Sequence, residues 1–394
     1  MNAFLAKVYG FKFLDAFILI YPLYAVMFVD AGLSASQIGL TLAVWSVTAF
    51  ALEIPAGVLA DRWPRRAILS AAQLARAAGF AAWLMWPTFW GFLAGFLLWG
   101  VKSAFTSGTF EALVYDALKA EGREGDYTRI AGRAEAMQFV GILAASAATA
   151  ALIGFGYRPV LMASIAGCGL AALVPLTFPR VARARAAGDR SYFSHLKLGL
   201  RQAAGDRVVL DLIVFIALAL TFGGALEEFW AIFAIKAGLT RAGVALFIAA
   251  IAAAQAAASA LAHRTAGANR RWFYGAFAFN GGLLILAAAL FRPASVILLV
   301  AFSGAFKVID VVFEARLQHA IPSESRATIA SVKAFAVELA VTALLLSFGP
   351  LAQATSYRGA FLIFGGLIVA LGAAYLARRV PSPLAGEGGG EADG

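Results

Sequence analysis

Long apolar segments alternate with short polar connections along the whole sequence, and this pattern restricts the fold more than any other feature. A bilayer core about 30 Å thick is crossed by roughly 20 apolar residues in a helix. With 62% hydrophobic and only 14% charged residues, the composition excludes an ordinary soluble domain. We therefore predict an all-α integral membrane protein with twelve transmembrane spans, numbered in chain order, near residues 11–30, 37–60, 67–86, 88–113, 134–154, 158–178, 208–235, 242–262, 272–291, 293–315, 328–348 and 359–377.

Two connections are so short that a proline must mark a tight turn between separate helices. These are Pro87, between spans 3 and 4, and Pro293, between spans 9 and 10. The longest polar connection instead divides the spans six and six. We predict four regions, an N-terminal six-helix bundle, a cytoplasmic linker, a C-terminal six-helix bundle and a disordered tail, at residues 1–180, 181–207, 208–380 and 381–394.

The distribution of Lys and Arg orients the spans in the membrane. Alternate connections are rich in basic residues, whereas the opposite connections hold only Arg158, Lys236, Arg241, Arg292 and Arg358. The positive-inside rule places the rich connections and both termini in the cytoplasm, and an even number of spans agrees with that. We expect a multi-pass membrane protein whose formal charge of +10 serves topology beside the lipid bilayer rather than nucleic-acid binding.

The connection between spans 2 and 3 contains the most specific motif of the chain. Its pattern, Gly-x-Leu-Ala-Asp-Arg-x-x-Arg-Arg, is formed by Gly57, Leu59, Ala60, Asp61, Arg62, Arg65 and Arg66. Preceded by Glu53 and Pro55, this run resembles the loop between helices 2 and 3 of the major facilitator superfamily of transporters. The resemblance, to a bacterial branch of the family, covers the chain to about residue 380 and implies a protein of the bacterial inner (cytoplasmic) membrane. It implies two pseudo-symmetric six-helix bundles, the MFS fold, that expose a central cavity to each side of the membrane in turn.

The resemblance also implies a cytoplasmic gate. In the family, the acid of this loop is thought to lie at the N-terminus of helix 11, where the helix dipole favours negative charge. Asp61 would then meet the turn around Arg326 when the cytoplasmic side is closed. Gly57 is expected to let two helix backbones pack closely. The predicted gate residues are Gly57, Asp61, Arg62, Arg65, Arg66, Asp116 and Arg326.

Charged side chains within the spans indicate a polar cavity. A charge at mid-bilayer costs roughly 2.5–3.5 kcal/mol on insertion scales, so each one should face protein or water. In the family, helices 1, 4, 7 and 10 line the central cavity, and spans 1, 4, 7 and 10 hold most of these charges. The predicted substrate cavity comprises Asp15, Tyr21, Tyr24, Lys102, Glu227, Glu228, Trp230, Lys307, Asp310 and Glu314. We expect Arg76 and Glu338 to be structural partners of other groups.

Two lysines near the middle of the membrane, Lys102 and Lys307, separate two classes of solute. Their related depths on spans 4 and 10 predict that they face one cavity from opposite walls. Unneutralised, they would attract an anion and repel a cation. We expect each to pair with a nearby acid, such as Asp310 or Glu111, which would leave little net positive charge.

Glu53 is the first candidate for proton coupling. If its carboxyl group is buried below the lipid headgroups, it could take up and release a proton near neutral pH. Asp15 and Asp310 are the next candidates.

No residue pattern predicts an enzyme. The three histidines, His195, His263 and His319, are far apart, and neither metal-ligand spacing nor a Gly-x-Ser-x-Gly motif occurs; we expect no metal and no cofactor. We predict a monomeric secondary active transporter that works by alternating access, with proton-coupled export of an amphipathic or cationic small organic solute. Two alternatives remain open, namely a carrier of an organic anion (uptake or exchange) that uses Lys102 and Lys307, and a membrane sensor that binds a solute without moving it.

Overall fold

The structure, a computed structural model, describes residues 2–179, 205–321 and 326–378. The predicted tail and nearly all of the predicted linker lie outside these residues. The described elements are α-helices and short 3-10 turns, which confirms the all-α prediction. Within the described residues, eleven helices are long and apolar enough to cross a membrane, judged by length and composition. The first span is interrupted and adds a twelfth crossing.

The helices follow the predicted spans closely. Pro87 lies in the turn between Met85 and Phe89, and Pro293 opens the short 3-10 turn before Val296, so both tight turns are confirmed. The helices are Asn2–Ala16 with Tyr24–Asp30 (span 1), Ala35–Arg62 (span 2), Arg65–Met85 (span 3), Phe89–Thr106 with Thr109–Lys119 (span 4), Tyr127–Leu152 (span 5), Tyr157–Leu176 (span 6), Arg207–Gly224 with Trp230–Lys236 (span 7), Arg241–Leu261 (span 8), Arg270–Leu290 (span 9), Val296–Ala320 (span 10), Arg326–Ala354 (span 11) and Tyr357–Ala377 (span 12).

Span 1 is broken between Ala16 and Tyr24, where the sequence predicted a continuous helix from residue 11 to 30. Inside a bilayer, backbone groups freed by such a break need partners from the protein. The N–H of Ile20 donates to Ser164 Oγ at 2.9 Å, and the carbonyl of Leu19 accepts a hydrogen bond from Thr149. Hydroxyl groups of spans 5 and 6 therefore stabilise the break.

Spans 4 and 7 are also interrupted. Span 4 bends at Gly108, whose φ of +68° is favourable only for glycine. Span 7 changes into a 3-10 turn at Ala225–Phe229 before it resumes as an α-helix. This turn contains Glu227 and Glu228, so the break in span 7 presents two adjacent carboxyl groups at membrane depth.

The first six spans pack against one another, as do the last six, and the two halves meet where span 2 packs on span 11 and span 5 on span 8. Both ends of the described chain, Asn2 and Arg378, lie on one side of the bundle, since twelve crossings return the chain to its starting side. We call this side the terminal face and the opposite side the distal face.

Glycines bring spans 2 and 11 together near the distal face. A Cβ atom on Gly39 would lie 2.4 Å from the carbonyl oxygen of Leu345, and one on Gly349 would lie 2.5 Å from that of Ala35. Gly57, by contrast, has no neighbour within 4 Å of where its Cβ would be. The close approach expected at Gly57 is therefore wrong for this conformation, because the two helices make their tight contact at the distal end.

Candidate functional site

A cavity of about 290 Å³ lies between the two halves. Its lining comes from spans 5, 7, 8 and 10, from the middle of spans 7 and 10 and mostly from the part of spans 5 and 8 nearer the terminal face. The charged residues in this lining are Glu135, Glu227, Lys307 and Asp310. Three carboxylates against one ammonium give a formal charge of −2. The cavity is therefore acidic.

Glu227 lies where the broken span 7 reaches the cavity. Its carboxylate accepts a hydrogen bond from Gln255 Nε2 of span 8 at 2.8 Å. Among the described residues, no ion pair within 4 Å joins Glu227 to a cation. A neutral amide donor orients the carboxylate without neutralising it.

Glu228 points to the other half of the protein. It accepts a hydrogen bond from the hydroxyl of Tyr24, the first residue of the second helix of span 1. Tyr21, Tyr24 and both glutamates line a small closed space beside Ala25 and Ile248. A tyrosine next to the break in span 1 thus contacts a carboxylate in the 3-10 turn of span 7.

Span 10 contributes a neutralised pair to the cavity. Lys307 Nζ donates to Asp310 Oδ2 at 2.9 Å, which confirms the predicted pairing. Glu314 is held by Lys333 at 2.6 Å and by Gln318 at 3.1 Å. Glu314 is absent from the cavity lining described above.

Lys102 belongs to a buried cluster inside the N-terminal half. Oδ1 of Asp15 accepts from Lys102 Nζ at 2.8 Å, from Arg76 at 3.0 Å and from Gln73 at 2.6 Å. The predicted pairing of Lys102 is confirmed, with Asp15 rather than Glu111 as the acid, and Arg76 is the structural partner. Lys102 and Lys307 do not face one cavity, because Asp15 draws Lys102 into the N-terminal half.

This cluster explains why the cavity lining differs from the one that the resemblance implied. Among the described residues, spans 1 and 4 do not line the cavity between the halves, and spans 5 and 8 do. The charges of spans 1 and 4 satisfy each other instead. Trp230 was also expected in the cavity, but it is fully buried in the C-terminal half, where it packs on Phe302 and Phe361. The prediction that Trp230 lines the cavity is therefore wrong.

The distal face is closed by contacts between the halves. Arg241 of span 8 donates to Asp30 of span 1 at 2.8 Å, and Tyr157 donates to the same carboxylate oxygen. Ser36 of span 2 also donates to Gln353 of span 11. Together with the contacts of Gly39 and Gly349, these bonds close the distal end of the cavity.

Toward the terminal face the contact between spans 2 and 11 ends early. Ser46 donates to Glu338 at 2.6 Å, and the rings of Phe50 and Phe335 lie 6.1 Å apart. Glu53, three residues further, is exposed. The burial expected for Glu53 is not found in this conformation, although span 11 continues past Phe335 to Arg326 at this end.

The predicted gate residues are only partly brought together. Arg65 pairs with Asp116, which joins the start of span 3 to the end of span 4, and Lys12 pairs with Glu111 at 3.6 Å. Arg62 is exposed and Arg66 half-buried. The side chains of Asp61 and Arg326 lie outside the described residues, so their contact stays a prediction.

The lining residues that the sequence reasoning missed include two that bear on the chemistry of the cavity, Glu135 and Gln255. Glu135 is exposed and lines both the cavity between the halves and a smaller one of about 160 Å³ beside Glu111. It is the second residue of predicted span 5, but it was not named among the charged residues within the spans. Gln255 lies in an alanine-rich stretch of span 8. A single amide in such a stretch was the available signal.

The comparisons with known proteins agree with this architecture. The profile of the Major Facilitator Superfamily matches residues 8–341. The chain belongs to this family, and it is a transporter rather than an enzyme. A search of curated protein sequences gives no match.

Several solved transporters have the same fold. The nucleoside transporter NupG superimposes with a TM-score of 0.76 at 17% identity, covering 96% of this chain and 99% of that one. A bacterial homologue of the human lysosomal transporter Spinster, in an inward-facing and unoccupied conformation, gives 0.76 at 15% identity, covering 95% and 96%. A D-xylose-proton symporter gives 0.69 at 17% identity, covering 96% and 97%. At these identities the likeness shows the fold alone.

Proposed function

We propose that this protein exports a small amphipathic or cationic organic solute in exchange for protons, working as a monomer. The observation that supports this proposal is the acidic cavity between the halves. Glu135 and Glu227 face it without an ion-pair partner among the described residues, whereas Lys307 is neutralised by Asp310. A cation entering the cavity gains an uncompensated carboxylate, whereas an anion finds no free ammonium group.

Exchange with protons follows from the chemistry of the same site. A carboxylate that holds a proton has lost the charge that attracts a cation, so proton and solute compete for it. The coupling acids that we propose are therefore the adjacent carboxyl groups at the break in span 7, Glu227 and Glu228, and Glu53, Asp15 and Asp310 are weaker candidates. Asp15 and Asp310 are already paired with bases. Glu53 is exposed and lies beyond the contact that Phe50 of span 2 makes with Phe335 of span 11.

The direction of transport depends on which face is cytoplasmic. The terminal face carries the connections that are rich in Lys and Arg, so the positive-inside rule assigns it to the cytoplasm. The conformation described above, closed at the distal face, would then receive solute from the cytoplasm and protons from outside. The inner membrane of a bacterium has a proton gradient of the required sign.

Proteoliposomes provide the test of this function. Vesicles with an acidic lumen and a clamped membrane potential should accumulate ethidium, a monovalent aromatic cation, and should lose the gradient more quickly when ethidium is added. The permanently charged anion 1-naphthalenesulfonate should not move. Transport of the sulfonate without ethidium would instead establish the anion carrier. Saturable binding of ethidium without flux would establish the sensor.

A further inference from the structure

Glu227 and Glu228 are neighbours in sequence, but they have different surroundings. The 3-10 turn sends Glu227 toward span 8 and the cavity, and sends Glu228 toward span 1. Glu227 lines both the cavity and the small closed space, whereas Glu228 lines only the closed space. Among the described residues, neither carboxylate has an ion pair with Lys or Arg. One acid therefore meets the solute and the other meets the opposite half of the protein.

We propose that the hydrogen bond between Tyr24 and Glu228 is a lock that keeps the empty transporter closed at its distal face, and that Glu227 is the ligand of the cationic solute. This inference rests on the proposed cation and proton exchange. A hydrogen bond to an ionised carboxylate is roughly twice as strong as one to a neutral group. A proton on Glu228 weakens the lock because it removes that charge. A solute cation bound at Glu227 also weakens the lock, because its positive charge partly neutralises the adjacent carboxylate of Glu228.

This lock meets the requirement of an exchanger. An exchanger must change its conformation when it holds either the solute or a proton, and must not change it when it is empty, because an empty transition would dissipate the gradient. With both carboxylates ionised and no cation nearby, the bond to Tyr24 is at its strongest. Either ligand neutralises charge at the break in span 7 and permits the distal face to open.

Other charged or titratable groups near this space do not replace the lock. Tyr21 belongs to span 1, and Lys307 of span 10 is bonded to Asp310. Glu135 of span 5 lies across the cavity, beside Gln138 of the same span. The strongest rival is Glu338, which accepts a hydrogen bond from Ser46 of the other half at 2.6 Å. Glu338, however, lies inside the continuous helix Arg326–Ala354, away from the break and the cavity.

The test measures how readily the distal face opens. Ile248 is buried in the closed space beside Tyr24 and Glu228. In a background that carries Cys168→Ala, Ile248→Cys should react with a membrane-impermeant maleimide slowly at mildly alkaline pH. Divided by the rate of a cysteine-containing peptide at the same pH, which corrects for the smaller thiolate fraction at low pH, its rate should rise roughly five- to tenfold at mildly acidic pH or with saturating ethidium. Tyr24→Phe and Glu228→Gln should give the fast rate at both pH values.

The controls separate this inference from the proposed function. Glu338→Gln should keep the pH dependence of labelling, and its loss in that variant would move the lock to Glu338. Glu227→Gln should lose ethidium binding and the response to ethidium, but keep the response to pH. If the wild type transports ethidium but the labelling rate of Tyr24→Phe still depends on pH, the lock is overturned while the proposed function stands. Unchanged ethidium binding by Glu227→Gln would overturn the role of Glu227 as solute ligand.

Discussion

At the scale of single residues, the buried cluster around Asp15 determines which lysine is available to a solute. Asp15 is one acid shared by two bases, Lys102 and Arg76. With all three groups charged the cluster carries a net charge of +1, so it becomes neutral if one base is removed and doubly positive if the acid is lost. Burial makes that difference large, since only 2% of Arg76 and 8% of Lys102 are exposed.

This asymmetry predicts the outcome of two substitutions. Lys102→Met should leave stability and ethidium transport close to those of the wild type, because Arg76 still neutralises Asp15. Asp15→Asn should lower stability by about 3–5 kcal/mol, the usual cost of removing one partner from a buried pair. Thermal unfolding in detergent measures both. If Lys102→Met folds normally but no longer transports, Lys102 contacts the solute and the anion carrier gains support.

At the scale of helices, the crossing of spans 2 and 11 sets how tightly the distal face closes. Gly39 and Gly349 have no room for a Cβ, since the nearest backbone atoms would be at 2.4 and 2.5 Å. Membrane helices approach closely where small residues permit it, because lipid offers no hydrophobic driving force. These two glycines therefore do at the distal end what was expected of Gly57 at the terminal end.

We accordingly predict that Gly39→Ala weakens distal closure, since overpacking of this kind costs about 1–3 kcal/mol. A disulfide between Ser36→Cys and Gln353→Cys, in a Cys168→Ala background, reports the closed state because Ser36 and Gln353 are in contact. Its yield should fall severalfold with Gly39→Ala. Gly282→Ala is the matched control, as that helical glycine has nothing within 4 Å of a Cβ. An equal loss of yield in both variants would rule out the crossing as the cause.

At the scale of the whole molecule, the halves are joined at one end and separated at the other, as alternating access requires. Asp30, Arg241 and Tyr157 form the outermost joint of the distal face. These groups are partly exposed to solvent, with half of the Arg241 side chain accessible. Such pairs contribute at most about 1 kcal/mol and weaken with salt. The joint therefore adjusts the balance between conformations without dominating it.

The corresponding prediction concerns Arg241→Gln. Labelling of Ile248→Cys from the distal side should rise up to about fivefold in this variant at low salt. High salt should bring the wild type toward the same rate. The exchanged pair, Asp30→Arg with Arg241→Asp, should restore slow labelling because it restores the ion pair. If either residue acted only through its own shape and packing, the exchange would not restore it. A fast labelling rate in the exchanged pair would contradict a role of the Asp30–Arg241 ion pair in closing the distal face.

The number and position of the spans, and the tight turns at Pro87 and Pro293 between them, could be predicted from the sequence. Each span depends on the affinity of a single segment for lipid. Length and apolar content are properties of a segment by itself, and the motif after span 2 identified the family. The pairing of Lys307 with Asp310 was equally accessible, since the two residues are one helical turn apart. The breaks in spans 1 and 7 depend instead on hydroxyl and carboxyl groups from other spans.

Which charged side chains of different spans contact each other was decided by the tertiary structure alone. Asp15, Arg76 and Lys102 come from three spans, and only the rotation of each helix in its bundle brings their charges within 3 Å. The same rotations bury Trp230, turn Glu135 toward the cavity and leave Glu53 exposed. A buried charge takes the partner that packing brings near it, because the electrostatic energy depends on distances that no single segment specifies.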